Sequence, residues 1–204
     1  KFLFRKCKLM TVEKSPVIIL ASTSIYRREL LGRICKQFIT LSPNIDETPL
    51  TNENANNCSE RLAIAKAQII AKTQTNALVI GSDQVAECDG RRLSKPGNID
   101  NAIAQLTFAS GKLAHFCTGV CVWNTESGEC RSKVVETKVR FRSLKQSEIE
   151  RYVETEDVLG CAGSAKSEGL GIALLESISG SDPTALVGLP LITVAAMLRD
   201  NGVN

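Results

Sequence analysis

Residues 17–31 read VIILASTSIYRRELL, a short apolar run that changes abruptly into hydroxyl-bearing and then basic residues. The apolar run 17–21 is typical of a buried β-strand, because it is too short for a buried helix. The three residues that follow it, STS, belong to the types that cap a helix N-terminus. The stretch therefore predicts a strand, a turn and a helix, with Arg27 and Arg28 in the first helical turns.

The rest of the chain continues this alternation before a hairpin intervenes. A Ser-Glu capping box at Ser147 and Glu150 marks one helix start, and Pro190 suits the early part of the last helix. The order of elements predicts an α/β protein with a twisted, mixed β-sheet and flanking helices. Strands are predicted at 37–41, 77–86, 117–124 and 133–144, and helices at 59–73, 98–109, around Tyr152 and at 192–199.

Composition indicates an ordinary soluble protein that binds a small molecule. The 204 residues are 43% hydrophobic and 23% charged, which fits one compact domain or one domain in two lobes. A net charge of +3 with scattered basic residues argues against nucleic acid or an anionic membrane as the main partner. Aromatic content of 4% leaves no stacking platform for RNA. No stretch approaches the roughly 18 apolar residues that span a membrane.

The cysteines bear on the cellular compartment, and the first residues bear on where the domain begins. The eight cysteines form no CxxC pair and have no accompanying histidine set, which predicts reduced thiols in a cytoplasmic protein. The single histidine, His115, is expected to be a hydrogen-bonded structural imidazole. Residues 1–14 lack the features of a signal peptide. We expect them to be a disordered extension that precedes a domain at 15–204.

The adjacent arginines suggest an anion site. Arginine presents a planar fork of donors that matches phosphate oxygens. In the first turns of a helix, Arg27 and Arg28 would lie near free backbone N–H groups and the positive end of the helix dipole. Ser22 and Ser24 add hydroxyl donors. This motif alone does not separate a phosphate site from a helix cap beside two solvated arginines.

Carboxylates and lysines elsewhere strengthen the phosphate interpretation. Asp46 and Glu47 follow the second predicted strand, and Asp83 interrupts the apolar run LVIGSDQV. A carboxylate at the end of a buried strand is costly unless it meets a cation, and Mg²⁺ or Mn²⁺ is a frequent answer. Lys66 and Lys95 could neutralise phosphates. Each of these residues taken alone has a structural alternative, as a turn residue or a surface lysine.

Together these motifs resemble the Maf-like nucleoside triphosphate pyrophosphatases from Val17 to about Asn201. Ile25 is one departure, since many members carry proline before the arginines. The last two of the matching strings resemble the subgroup that acts on 7-methyl-GTP. The strings are LASTSIYRRELL, DET, RLAIAKA, IGSDQV, LSKP, TGV, CAGSAKSEGLG and DPTALVGLPL.

The resemblance implies a cut between the α and β phosphates that yields a nucleoside monophosphate and diphosphate and depends on a divalent cation, Mg²⁺, Mn²⁺ or Co²⁺. It also implies an elongated single domain in two lobes with a central cleft, often assembled as a homodimer. The implied site residues are the proton acceptor Asp83, the specificity positions Tyr26, Gln84 and Glu168, the phosphate-binding residues Ser22, Arg27, Arg28, Lys66 and Lys95, and the metal ligands Glu47 and Asp83.

The choice of base also follows from hydrogen-bond chemistry. Guanine offers adjacent N–H donors that a carboxylate such as Glu168 accepts as a pair, whereas uracil and thymine suit an amide better. Methylation at N7 makes the ring cationic, and Tyr26 could stack on it. The expected substrate is therefore 7-methyl-GTP. Two alternatives stay open: hydrolysis of dTTP, UTP or other non-canonical nucleotides, and a non-catalytic nucleotide-binding regulator of cell division.

Overall fold

The strand, turn and helix expected at the start of the domain are present in the computed structural model, which describes residues 15–203. Strand β1 is Val17–Ala21 and helix α1 is Ile25–Ile34. Ser24 caps α1, and its hydroxyl accepts a hydrogen bond from the Arg27 backbone N–H at 3.4 Å. The expected extension at 1–14 lies outside the described residues.

The remaining elements confirm an α/β fold. The strands are β2 (Ile39–Leu41), β3 (Ala77–Cys88), β4 (Arg91–Arg92), β5 (Leu113–Asn124), β6 (Cys130–Phe141) and β7 (Leu175–Gly180). The helices are α2 (Ala55–Ala71), α3 (Ile99–Ala109), α4 (Gln146–Thr155) and α5 (Leu191–Asp200). Single 3-10 turns lie at Ala162–Ser164, Leu170–Leu174 and Ala185–Val187. None of the helices in the described chain is long and apolar enough to cross a membrane.

The seven strands of the described residues join one mixed sheet, in the order β2-β1-β3-β5-β6-β7 with β4 paired to β3. Strand β1 runs parallel to β2 and β3, and the other pairings are antiparallel. The pairing of β3 with β1 ends at Gly81, and its pairing with β4 begins at Glu87. Between these two positions, no strand of the described chain covers that edge of β3.

The buried apolar side chains divide into two lobes along β3 and β5. In the first lobe, alternate residues of β1 face opposite sides of the sheet, so that Leu20 packs with α1 and α5 and Ile19 packs with α2. In the second lobe, Ala86 and Phe116 pack with α3 and α4. The polar segment 81–85 of β3 lies between the lobes, beside its uncovered edge.

Helix α2 lies unusually close to the sheet because two glycines face it. A Cβ atom at Gly81 would stand 2.1 Å from the Ala63 carbonyl oxygen, and one at Gly119 would stand 2.3 Å from the Ser59 carbonyl oxygen. Only glycine permits this approach. Asp83 points to the same face of β3 as Gly81, because side chains alternate along a strand. The close packing therefore brings Lys66 of α2 to Asp83.

Two helix starts differ from the sequence prediction. Helix α2 begins at Ala55 after the Asn54 cap, four residues before the predicted Ser59. The predicted capping box at Ser147 and Glu150 is wrong, because α4 begins at Gln146 and the Glu148 carboxylate accepts from the Lys145 N–H at 3.0 Å. The burial of Ile149, Tyr152 and Val153 sets the phase of this helix, which the local spacing of serine and glutamate did not reveal.

One further difference concerns the sheet, whereas the predicted hydrogen bond of His115 is confirmed. Strand β7 was not predicted, because its sequence LESISG is polar and mostly exposed and forms an edge with β6 as its only neighbour among the described strands. His115 is hydrogen-bonded to Glu136, with a ring-nitrogen to carboxylate distance of 2.7 Å. Its side chain is 39% exposed, so the pair lies at the surface of the sheet.

Candidate active site

A cavity of about 740 Å³ opens between the lobes, at the uncovered edge of β3. This volume lies within the range of roughly 300–1,000 Å³ that is typical of small-molecule sites. Arg28 is exposed and is not among the residues that line the cavity. The predicted site residues that do line it are Ser22, Tyr26, Arg27, Glu47, Lys66, Asp83, Gln84, Lys95 and Glu168.

The centre of the cavity is a lysine that bridges two carboxylates. Lys66 Nζ lies 2.6 Å from Asp83 Oδ1 and 2.6 Å from Glu47 Oε1. The Lys66 and Asp83 side chains are buried, whereas that of Glu47 is 54% exposed. Burial on its own would raise the pKa of Glu47, but Lys66, with Lys95 and Arg27 farther away, outweighs it and holds that pKa below its ordinary value. The arrangement keeps negative and positive groups together in one hollow.

Arg27 contributes a second cation from α1. Its Nε donates to the Gly188 carbonyl oxygen at 2.8 Å, which fixes the plane of the guanidinium. Burial lowers the pKa of Arg27, and the charges of Asp83 and Glu47 oppose that effect; arginine stays protonated in proteins regardless. Within the described chain the terminal nitrogens of Arg27 have no hydrogen-bond partner, so they are available to an anionic ligand.

The loops contribute weaker contacts. The buried Ser22 hydroxyl accepts from the Ser24 backbone N–H at 3.1 Å. Lys95 is exposed on the loop after β4, near enough to affect the Glu47 carboxyl. The Asp46 carboxylate accepts from the Thr48 N–H at 2.9 Å, so Asp46 stabilises its own loop. Ser22 and Lys95 thus add polar groups to the cavity lining.

The donor set fits a divalent cation that binds together with phosphate. Asp83 and Glu47 each use one carboxylate oxygen on Lys66, and the other oxygen makes no hydrogen bond or ion pair within residues 15–203. Those residues contain no group of three or more His, Cys, Asp and Glu side chains that could hold a metal ion by itself. Magnesium commonly takes one or two carboxylates and completes its shell with water and substrate phosphates, so two free carboxylate oxygens suffice.

Gln84 lies on the opposite face of β3 from Asp83. Its amide nitrogen donates to the carbonyl oxygens of Ala185 and Leu186, at 3.0 and 2.9 Å, and lies 3.0 Å from the Thr118 hydroxyl. Its amide oxygen accepts no hydrogen bond from the described residues. The fixed orientation therefore presents an acceptor, rather than a donor, to a ligand.

Tyr26 and Glu168 lie at the end of the cavity formed by the segment 160–168. Burial raises the pKa of Tyr26, and the charges of Cys161 and Glu168 add to that effect while Lys166 opposes it. The Glu168 side chain is exposed, and its carboxylate accepts from the Ser167 hydroxyl at 3.3 Å. An aromatic ring and a carboxylate thus share this end of the hollow.

Sequence reasoning missed two cations that line the cavity, Lys166 and Arg92. Lys166 lies in the quoted motif CAGSAKSEGLG, two residues before Glu168, and this closeness was an available signal. Arg92 lies on the two-residue strand β4 and donates to the Cys58 sulfur at 3.2 Å and to the Glu53 carbonyl oxygen. Nothing in the local pattern indicates so short a strand.

Comparison with known proteins gives a consistent result. A family model described as Maf-like protein matches residues 17–201. A 7-methyl-GTP pyrophosphatase of Aromatoleum aromaticum is 52% identical over 186 residues, which cover 91% of this chain and 96% of the relative. One of Idiomarina loihiensis is 49% identical over 189 residues, which cover 92% and 96%.

Among solved structures, the Staphylococcus aureus Ham1 protein is similar to this chain at 19% identity and a TM-score of 0.47. The match covers 63% of this chain and 73% of that protein.

Proposed function

The chain belongs to the Maf-like protein family, and we propose that it hydrolyses 7-methyl-GTP to 7-methyl-GMP and diphosphate. One observation supports this proposal most strongly: a single cavity is lined both by the Lys66, Asp83 and Glu47 cluster and by Tyr26 with Glu168. The first group suits a triphosphate with its cation, and the second suits a guanine ring. A role in keeping modified nucleotides out of nucleic acids follows from the proposed reaction.

In the proposed reaction, water breaks the bond between the α and β phosphates. Lys66, Arg27 and Lys95 neutralise phosphate oxygens, and such preorganised charge usually contributes more to catalysis than any other single effect. Asp83 accepts the proton of the attacking water, with its carboxylate oriented by Lys66. Asp83 and Glu47 would hold a divalent cation, which would neutralise phosphate charge and make water more acidic.

Guanine is favoured because the cavity presents hydrogen-bond acceptors. Glu168 accepts the paired N–H donors of the guanine edge, and Tyr26 stacks on the cationic ring. Gln84 has already donated its amide N–H groups to protein acceptors, so only its carbonyl oxygen is left for a nucleotide. Uracil and thymine present an acceptor, a donor and an acceptor along their pairing edge. Their acceptors would need the hydrogen-bond donor that Gln84 does not offer.

A substrate panel tests the proposal. Hydrolysis of 7-methyl-GTP, GTP, UTP and dTTP is measured as orthophosphate with and without added inorganic pyrophosphatase, in Mg²⁺, Mn²⁺ or Co²⁺ and in EDTA. We expect 7-methyl-GTP to have the highest kcat/KM, and orthophosphate to appear only with added pyrophosphatase. Preference for UTP or dTTP would support the pyrimidine alternative. Tight nucleotide binding without turnover would support the regulatory alternative.

We also propose a cytoplasmic location and a homodimer. The first is supported by the cysteines of the described chain, all of which are free thiols. The homodimer rests on the family resemblance, and light scattering after size-exclusion chromatography tests it.

A further inference from the structure

Helix α4 and its C-cap hold the segment 166–170, which carries Glu168. The Tyr152 hydroxyl accepts from the Lys166 backbone N–H at 2.9 Å. Glu156, the C-cap of α4, uses both carboxylate oxygens: Oε1 accepts from Lys166 Nζ at 2.8 Å and Oε2 accepts from the Leu170 backbone N–H at 2.9 Å. The segment is thus fixed at both ends by one helix that lies outside the cavity lining.

The packing between Glu156 and the segment is close. A Cβ atom at Gly169 would stand 2.3 Å from Glu156 Oε2, so only glycine fits there without a shift. The Glu156 side chain is 13% exposed and that of Lys166 is 21% exposed. This largely shielded contact differs from a mobile ion pair at the surface, which holds its partners weakly.

The same contact controls the charge beside Tyr26 and Glu168, the residues proposed to bind the base. Lys166 lines the cavity, and its Nζ lies 5.7 Å from the centre of the Tyr26 ring. Within residues 15–203, no cation lies at ion-pair distance from Glu168. The hydrogen bond to Glu156 raises the pKa of Lys166, and the same bond lowers the pKa of Glu156. Both groups are therefore charged, and they neutralise each other.

We propose that Glu156 is a positioning residue that sets base specificity, because it tethers the 166–170 segment and occupies Lys166, leaving Glu168 negative and unpaired for a cationic 7-methylguanine ring. Without Glu156, the Lys166 ammonium would be free to pair with Glu168 and to repel the methylated base. This inference rests on the proposed function, since it names how that function distinguishes 7-methyl-GTP from GTP.

Two single variants separate charge from tethering. Glu156→Gln keeps the shape and removes one negative charge, so we expect the ratio of kcat/KM for 7-methyl-GTP over GTP to fall about tenfold. Lys166→Met removes the positive charge and leaves the Glu156 bond to the Leu170 N–H, so we expect that ratio to stay or to rise. If Glu156 acted only as a tether, both variants would lower the ratio or leave it unchanged together.

The double variant and a matched control complete the test. Glu156→Gln with Lys166→Met restores the wild-type charge balance, so we expect the ratio to return towards the wild-type value. Glu148→Gln is the control, because Glu148 lies on α4 and, like Glu156, accepts from a cationic side chain and a backbone N–H, here those of Arg142 and Lys145 at 3.2 and 3.0 Å. That variant should keep the wild-type ratio. An unchanged ratio in Glu156→Gln, or no recovery in the double variant, would overturn the proposal.

Equilibrium binding separates this inference from the proposed function. Calorimetry with 7-methyl-GMP and GMP measures base preference without turnover, on the wild type and the same variants. The protein could fail to hydrolyse the nucleotides while the ratio of its affinities for 7-methyl-GMP and GMP changes among the variants in the order expected above. That result would contradict the function and leave the inference standing. Normal hydrolysis with equal binding of both nucleotides by the wild type would refute the inference.

Discussion

Asp83 is the residue on which the proposed chemistry depends most directly. Its Oδ1 lies 2.6 Å from Lys66 Nζ, its other carboxylate oxygen makes no hydrogen bond or ion pair with the described residues, and its side chain is 10% exposed. The ion pair fixes the carboxylate, and the free oxygen is left for water or a cation. An acid in this setting is suited to accept a proton.

Replacing Asp83 with asparagine should abolish turnover and keep the fold. The asparagine side chain has nearly the same shape, but its amide cannot accept the proton of the attacking water. We expect kcat for 7-methyl-GTP to fall at least about 100-fold, the usual lower bound for a general base. The measurement is steady-state kinetics together with the circular dichroism melting curve.

Asp89→Asn provides the matched control for that prediction. Asp89 lies in the turn after β3, outside the cavity lining, and its carboxylate is 3.1 Å from Lys112 Nζ. Asparagine also suits its positive φ of 48°. Its kcat should stay within about twofold of wild type, since surface pairs contribute little. A folded Asp83→Asn protein with turnover like that of the control would refute the assignment.

Nine of the ten site residues predicted from the sequence line the cavity, because the motifs that carry them end strands or begin helices at one edge of the sheet. Asp83 and Arg27 are examples, since each follows or interrupts an apolar run. The assigned phosphate-binding role of Arg28 stays a prediction, although the structure leaves this residue of α1 exposed and outside the cavity lining. The contact of Glu156 with Lys166 could not be predicted, because it depends on how α4 packs, and residue types do not report this.

Helix α2 connects the packing of the sheet to the position of Lys66. The Ala63 and Ser59 carbonyls occupy the space above Gly81 and Gly119, so any larger residue must push the helix away. The predicted start of this helix, at Ser59, missed one turn because Asn54 caps it instead. The predicted strand at 77–86, in contrast, is only two residues shorter than β3, because its apolar run is a clear strand signal.

Gly81→Ala should destabilise the protein and reduce turnover together. The added methyl group would overlap the Ala63 carbonyl oxygen, and relief requires α2 to move and carry Lys66 away from Asp83. We expect a loss of about 1–3 kcal/mol in the free energy of unfolding. Urea denaturation measures this loss, and kcat at a temperature where the variant is folded measures the displacement.

Gly32→Ala is the control, because a Cβ atom at Gly32 of α1 meets no atom within 4 Å. Alanine should stabilise this helix position by about 0.5–1 kcal/mol. Equal stability of Gly81→Ala and wild type would show that α2 is not held by this contact.

The start of α2 is also held by an ion pair that should depend on pH. Glu53 accepts from Arg61 Nε at 2.6 Å and from the Leu50 N–H at 3.0 Å. The Arg61 guanidinium lowers the pKa of Glu53 from 4.5 to about 2. Because the folded pKa lies below the unfolded one, the stabilisation is complete above pH 4.5 and is lost as the pH falls towards 2.

Glu53→Gln should therefore be less stable than wild type at neutral pH, and the difference should shrink as the pH falls below 4.5. Thermal melting of both proteins between about pH 7 and pH 3 measures it. Glu126→Gln, in the turn between β5 and β6, is a carboxylate control without an ion pair in the described structure. A difference that is constant with pH would contradict the assigned pair.

Across the whole molecule, the cavity is formed where two lobes meet. The first lobe supplies Arg27 and Lys66, and the segment after α4 supplies Glu168. A nucleotide that spans the cavity therefore contacts parts of the chain whose apolar cores are separate. The two lobes could be expected from the family resemblance, but the uncovered edge of β3 between them depends on where β1 and β4 end.

A bound nucleotide should consequently stabilise both lobes, and it should need a divalent cation to do so. We expect α,β-methylene 7-methyl-GTP, which resists cleavage at this bond, to raise the free energy of unfolding by about 2.7 kcal/mol at 100 times its Kd, or Tm by about 5–10 °C. The cation matters because Lys66 is the only described cation at ion-pair distance from Asp83 and Glu47, and a triphosphate would add further negative charge.

Differential scanning calorimetry with Mg²⁺ and with EDTA measures the effect. The increase in Tm should largely disappear in EDTA, and Glu47→Gln should need more Mg²⁺ to reach it. An equal increase in both buffers would show that Lys66, Arg27 and Lys95 balance the phosphates without a cation. A nucleotide bound to one lobe alone would instead split the melting transition, because the second lobe would unfold at its original temperature.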